Sequence, residues 1–120
     1  MLTFAFWLIT LAAAIGLFLA VRALGAGALP AGLPALHGVV AVAGLGALAL
    51  AAAAGRGSPD RYGTASFGPA AAILGALAAV IGLKMLVRRR SGRGVGFLIG
   101  VHATVAMIAY SLLLAYVWLA

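Results

Sequence analysis

The stretch FAFWLITLAAAIGLFLAVRAL, residues 4–24, contains one charged residue, Arg22, in 21 positions. A helix needs about 20 apolar residues to cross roughly 30 Å of hydrocarbon, so this stretch predicts a transmembrane helix. A secretory signal peptide fits less well, because no basic residue precedes the apolar run and the run is too long. Three more apolar stretches follow, at residues 36–54, 67–87 and 95–119.

Composition excludes most other protein classes. Hydrophobic residues make up 67% of the chain and charged residues 8%, so a soluble fold would lack a polar surface. The chain has no cysteine and a single carboxylate, Asp60, which excludes disulfides, thiolate metal sites and catalysis by paired carboxylates. The sequence therefore predicts an all-α membrane protein, a four-transmembrane-helix up-down bundle in one domain spanning residues 1–120.

The formal net charge of +7 predicts membrane orientation rather than nucleic-acid binding. The basic residues near the first and third loops are Arg22, Lys84, Arg88, Arg89, Arg90 and Arg93, against Arg56 and Arg61 in the second loop. Because basic residues gather in cytoplasmic loops, we expect loops one and three in the cytoplasm and both termini on the periplasmic side of a bacterial inner membrane. The aromatic residues predicted to form a belt on that outer side are Trp7, Tyr62, Phe67, Tyr116 and Trp118.

The first and third spans contain an internal repeat. Residues 12–22, AAAIGLFLAVR, and residues 78–88, AAVIGLKMLVR, are identical at seven of eleven positions. The second and fourth spans align at an offset of 65, which pairs His37 with His102. These matches predict a duplicated helical hairpin, with its two copies related by a pseudo-twofold axis along the membrane normal.

His37 and His102 are the two histidines of the chain, and each lies one to two turns inside the same end of its span. The second and fourth helices of an up-down bundle are diagonal neighbours, so the imidazoles should lie at similar depth across the core. A b-type haem can take two neutral imidazoles as axial ligands, one on each face of the macrocycle. The pattern predicts haem b, with His37 and His102 as ligands of the haem iron.

Two other residue pairs related by the repeat complete the predicted cofactor site. Gly16 and Gly82 would leave clearance for the macrocycle, and Arg22 and Arg88 would meet the haem propionates. Other uses of the histidines remain open, because an intramembrane imidazole also serves as a polar contact between helices. Zinc or copper is disfavoured, because two imidazoles alone leave such an ion short of ligands.

Two features of the fourth span allow more than one interpretation. The spacing of Gly92, Gly96 and Gly100 predicts close helix approach, within the bundle rather than in a dimer. The hydroxyl-bearing residues of this span are Thr104, Tyr110 and Ser111. We expect their hydroxyls to bond backbone carbonyls, with a quinone site as the alternative.

The chain resembles small bis-histidine b-type cytochromes. The resemblance rests on the facing histidines, on Gly16 and Gly82, and on the nearby arginines. Examples of such cytochromes are the haem-bearing membrane anchors of succinate dehydrogenase and cytochromes of the b561 type. The resemblance implies one-electron transfer near the cytoplasmic face, exchanging with quinone or a partner redox subunit. It also implies an electron-transfer or accessory subunit rather than a stand-alone enzyme. The chain lacks histidines for the second haem of the b561 type, and it is a single duplicated chain, unlike the dehydrogenase anchors.

Two other functions remain open from the sequence. The first is a cofactor-free structural or assembly subunit of a larger membrane complex, which the small size and the scarcity of polar groups favour. The second is a small transporter, because four-span chains of this length occur among exporters and channels. Those families rely on intramembrane Glu or Asn, and this chain contains neither residue type.

Overall fold

Four long helices form the described part of the chain. The computed structural model describes residues 1–25, 27–55 and 64–119. Its helices are α1 (Leu2–Leu24), α2 (Leu33–Ala53), α3 (Phe67–Arg90) and α4 (Gly96–Trp118), with a short 3₁₀ turn at Thr64–Ser66 before α3. Each of the four is long and apolar enough to cross a membrane. The predicted all-α fold with four membrane-spanning helices is confirmed.

Two helices extend three residues beyond their predicted ends. α2 begins at Leu33 because Pro34 occupies its first turn, where the missing N–H is not needed for a helical hydrogen bond. α3 continues to Arg90, because cationic side chains in a last turn interact favourably with the helix dipole. Gly92, with a φ of +69°, then turns the chain toward α4. The residues whose predicted roles lie outside the described part are Arg56, Asp60, Arg61 and Tyr62.

The helices pack as two antiparallel hairpins. α1 packs along α2 and α3 packs along α4, and these contacts are more extensive than those between the hairpins. α1 meets α4 and α2 meets α3 along narrower interfaces, so α2 and α4 lie diagonally across the bundle. The molecule measures 48 × 22 × 20 Å. Loops one and three therefore share one end of an up-down bundle.

Alanine is the commonest buried apolar residue, and many large apolar side chains lie on the surface. The buried apolar residues are Ala5, Ala12, Leu19, Ala47, Leu48, Ala51, Ala71, Ala78, Ala109, Leu113 and Tyr116. Phe97, Ile73 and Met107, by contrast, are at least 70% exposed. Because lipid tails are as apolar as the side chains, membrane helices associate through close packing of small residues. This distribution is the one expected of a protein solvated by lipid.

Burial follows the internal repeat. Leu48 and Leu113, which are 65 residues apart, are each 1% exposed. Ala12 and Ala78, which are 66 residues apart, are 4% and 5% exposed. The offsets that align the sequence therefore also align the interior positions of the two hairpins.

Two predictions about the helix surfaces are wrong. Tyr116, expected in the outer aromatic belt, is buried, and its ring packs over Gly68, where a Cβ would lie 2.7 Å from the ring carbons. Gly96 and Gly100, expected to pack within the bundle, are exposed, with no heavy atom within 4 Å of an added Cβ. His102 points into the bundle, and a position two residues away lies about 200° around the helix, so Gly100 faces outward.

We expect Gly44→Ala to destabilise the bundle where Gly46→Ala does not. A Cβ at position 44 would lie 2.8 Å from Cγ1 and 3.2 Å from the backbone nitrogen of Ile9, whereas one at position 46 would meet nothing within 4 Å. Overpacking at Gly44 should lower the free energy of unfolding in detergent by about 1–3 kcal/mol. Because Ala has a higher helix propensity than Gly, the free energy of unfolding of the Gly46 variant should equal or exceed that of the parent protein. Equal effects in unfolding followed by circular dichroism would contradict this packing.

Candidate functional site

The two histidines meet across the core from diagonal helices. His37 lies four residues after Leu33 at the start of α2, and His102 lies six residues after Gly96 at the start of α4. These positions are about 6 and 9 Å along their helices from the end that holds loops one and three. Both residues are half-buried, their ring centres are 6.1 Å apart and the ring planes are 75° apart.

Each imidazole is held by a backbone carbonyl of the partner helix in its own hairpin. His37 Nδ1 lies 2.9 Å from the carbonyl oxygen of Ala12, and His102 Nδ1 lies 2.8 Å from that of Ala78. Because a carbonyl can only accept a hydrogen bond, Nδ1 carries the proton and donates it. In the neutral ring this leaves Nε2 with a free lone pair for a ligand. In both hairpins the nitrogen left unprotonated is thus Nε2.

A glycine one turn after each carbonyl makes room for the ring. The carbonyl of a helical residue points toward the residue four positions later, so an imidazole that reaches Ala12 must pass over Gly16. A Cβ at position 16 would lie 2.8 Å from Cε1 of His37, and one at position 82 would lie 3.3 Å from Cε1 of His102. The structure therefore places Gly16 and Gly82 against the imidazoles. Their clearance for a macrocycle stays a prediction.

The two arginines of the predicted site differ in their contacts. Arg22 donates from Nη2 to the carbonyl of Ala28 at 3.2 Å, and its guanidinium carbon lies 6.0 Å from the centre of the Phe18 ring. Arg88 is half-buried, and its Nε is buried without a hydrogen-bond partner among the described residues. Each arginine follows its repeat glycine by six residues, about 9 Å along the helix. Their role toward propionates stays a prediction.

The donor set suits a metal whose remaining ligands come from a cofactor. The described residues contain no group of three or more His, Cys, Asp or Glu that could hold a metal ion. Metal–imidazole bonds of about 2.0–2.1 Å, with the ring centre roughly 1.2 Å behind the nitrogen, separate the centres of two opposed rings by about 6.4–6.6 Å. The observed 6.1 Å is a few tenths of an ångström shorter, so a metal ion between the rings would require them to move slightly apart. A haem supplies the equatorial nitrogens itself, so two imidazoles complete its coordination.

The sequence carries no signal for the hydrogen-bond partners of the two histidines and of the Tyr110 hydroxyl. The Ala12 and Ala78 carbonyls carry no side-chain signal, although both residues open the repeated segment. Thr104 and Ser111 donate to carbonyls of their own helix, which confirms that expectation. The hydroxyl of Tyr110 bonds instead to Thr10 on α1, at 3.0 Å.

Searches with this chain matched no protein-family model, no curated protein and no solved structure.

We expect nitrogen-15 NMR of the labelled, ligand-free protein to show both histidines protonated at Nδ1 and unprotonated at Nε2. Gly16→Ala should displace the His37 ring and shift both its nitrogen resonances, because the added Cβ would lie 2.8 Å from Cε1. Gly82→Ala should shift the nitrogen resonances of His102 less, since the added Cβ would lie 3.3 Å from Cε1 of His102. Gly38→Ala is the matched control, because a Cβ there meets nothing within 4 Å. Protonation at Nε2 in the parent protein would contradict the carbonyl contacts.

Proposed function

We propose that this protein is a membrane-embedded b-type cytochrome, an electron-transfer subunit that binds one haem b between His37 and His102. One observation carries the proposal: two imidazoles from diagonal helices lie 6.1 Å apart, each with Nδ1 bonded to a carbonyl. Bonds of this kind fix the tautomer and the ring orientation of metal-ligating histidines.

The protein's part in this function is ligation and orientation. Nε2 of each ring would hold the iron, and the Ala12 and Ala78 carbonyls would keep both rings from turning. When bound, the haem supplies one-electron transfer. The proposed propionate partners are Arg22 and Arg88. They lie about one and a half helical turns nearer the loop end than Gly16 and Gly82.

The depth of the imidazoles favours exchange of electrons at one face of the membrane. They lie about 6 and 9 Å from the helix ends that hold loops one and three. One cofactor at this depth does not bridge the bilayer. We therefore propose a quinone or a partner redox subunit on that side as the electron donor or acceptor, with loops one and three in the cytoplasm of a bacterium.

A cofactor-free structural subunit is the second candidate, favoured by the outer face of α4. Gly96, Gly100 and Thr104 line a shallow groove of about 400 Å³ on that face, together with the exposed ring of Phe97. Small residues at such a surface allow a helix of a larger membrane protein to approach closely. This candidate predicts a colourless protein.

We expect the protein purified in detergent after haem-supplemented expression to show a Soret band and, on reduction, a b-type α-band. His37→Ala and His102→Ala should each lose the six-coordinate low-spin spectrum, because each removes one axial ligand. Thr104→Ala is the matched control, since that hydroxyl is exposed and bonds only its own helix.

Circular dichroism and gel filtration establish that the histidine variants fold. A colourless parent protein that is helical and monodisperse would overturn the haem proposal and favour the structural candidate. Retention of the low-spin spectrum by either histidine variant would show that the ligands are assigned incorrectly.

The orientation is testable by cysteine labelling, because the chain has no native cysteine. Ser91→Cys follows α3 and Ala65→Cys precedes it, and both positions are exposed. If loops one and three are cytoplasmic, an impermeant maleimide added to intact cells should label position 65 and spare position 91. The opposite pattern would show that the protein is inserted the other way round.

A further inference from the structure

Among the residues that the structure describes, one hydrogen bond between side chains joins the two hairpins. The hydroxyl oxygens of Thr10 on α1 and Tyr110 on α4 are 3.0 Å apart. Thr10 also donates to the carbonyl of Phe6 at 2.8 Å. Because a threonine hydroxyl has only one hydrogen, Tyr110 must be the donor between the pair. Both residues are half-buried.

This bond differs from the other interhelical bonds in what it connects. Three side-chain hydrogen bonds link different helices in the described residues, and the two that involve histidine each lie within one hairpin. At the opposite interface, Leu45 of α2 packs against Gly75 of α3 through apolar contact. The Thr10–Tyr110 bond is therefore the directional contact between the hairpins, and it lies at the narrower of their two interfaces.

The position of the bond couples it to the imidazoles. Thr10 precedes Ala12 by two residues, and the Ala12 carbonyl holds the His37 ring. Tyr110 is on the same helix as His102, eight residues or about 12 Å further along. The ring of His37 is thus fixed to α1 and the ring of His102 is carried by α4. Any change in the spacing or register of α1 against α4 moves one imidazole relative to the other.

We propose that Thr10 and Tyr110 are positioning residues for the imidazole pair. Their hydrogen bond holds α1 against α4 and so sets the separation and the mutual angle of the two rings. The effect on haem rests on the proposed function, whereas the effect on helix spacing does not.

Neighbouring aromatic residues make Tyr110→Phe a specific test. The rings of Tyr110 and Phe6 are stacked with centres 6.4 Å apart and planes 14° apart. Replacing Tyr110 by Phe removes the hydroxyl and keeps this packing. Thr10→Val removes the other partner at nearly constant volume, and Thr10→Ser retains the hydroxyl. Ser111→Ala is the matched control, because the Ser111 hydroxyl bonds the Met107 carbonyl of its own helix.

The first measurement uses the ligand-free protein. Spin labels at Leu17→Cys on α1 and Met107→Cys on α4, which are 68% and 70% exposed, report the distance between the two helices by pulsed electron paramagnetic resonance. Tyr110→Phe and Thr10→Val should each shift or broaden this distance distribution. The double variant should add little to either single change, because both remove the same bond. Thr10→Ser and Ser111→Ala should match the parent protein.

The second measurement uses the haem-loaded protein. The electron paramagnetic resonance spectrum of low-spin ferric haem depends on the angle between the planes of its two imidazole ligands. In the structure the planes of His37 and His102 are 75° apart. Tyr110→Phe and Thr10→Val should change the principal g-values in the same way and weaken haem binding by about tenfold. Thr10→Ser should restore both properties. A purely structural role would lower stability without changing these g-values.

Unchanged distance distributions and unchanged g-values in both variants would overturn the positioning role. A parent protein that binds no haem would overturn the proposed function instead. The spacing of α1 and α4 in the ligand-free variants would then still test the positioning role, with an unchanged distribution overturning it.

Discussion

The hydrogen bond from each histidine Nδ1 to a helix carbonyl is the interaction on which the rest of the structure depends. Hydrocarbon offers no water to an imidazole N–H, so the protein must supply the acceptor. The Ala12 and Ala78 carbonyls do so at 2.9 and 2.8 Å. The ring reaches the carbonyl over the next helical turn, and in both hairpins that turn presents a glycine. One bond therefore determines the ring's tautomer, its orientation and the close approach of the two helices in each hairpin.

The sequence was sufficient to predict the spans but not which side of each helix faces inward. Hydropathy located all four helices, with errors of up to three residues at Pro34 and Arg90, where first-turn and last-turn chemistry extends the helix. In a soluble protein, polar residues mark the outer face. In lipid, both faces are apolar, and side-chain size is an unreliable guide, since Tyr116 is large and buried whereas Gly100 is small and exposed. Tyr116 and Gly100 were consequently assigned to the wrong sides.

The repeat predicted the part of the candidate site that both hairpins share. It paired His37 with His102 and Gly16 with Gly82, and the structure places each glycine against the ring of its own hairpin. It carried no information about acceptors on the main chain, since any residue supplies a carbonyl. A comparison of two copies also cannot reveal a feature present in only one of them. The Thr10–Tyr110 bond, between residues 100 positions apart, is such a feature.

Duplication explains why the core presents two like imidazoles, and departures from it explain how the hairpins are held in one register. A twofold axis brings two copies of one group to the same depth on opposite sides, which suits a cofactor with two equivalent axial positions. Symmetry alone leaves the hairpins joined by apolar contacts, such as that of Leu45 with Gly75. Apolar contacts are not directional and tolerate sliding. In the other copy the residue equivalent to Leu45 is Tyr110, and its hydrogen bond to Thr10 has a preferred direction and length, so this one asymmetric pair defines the register of the two imidazoles.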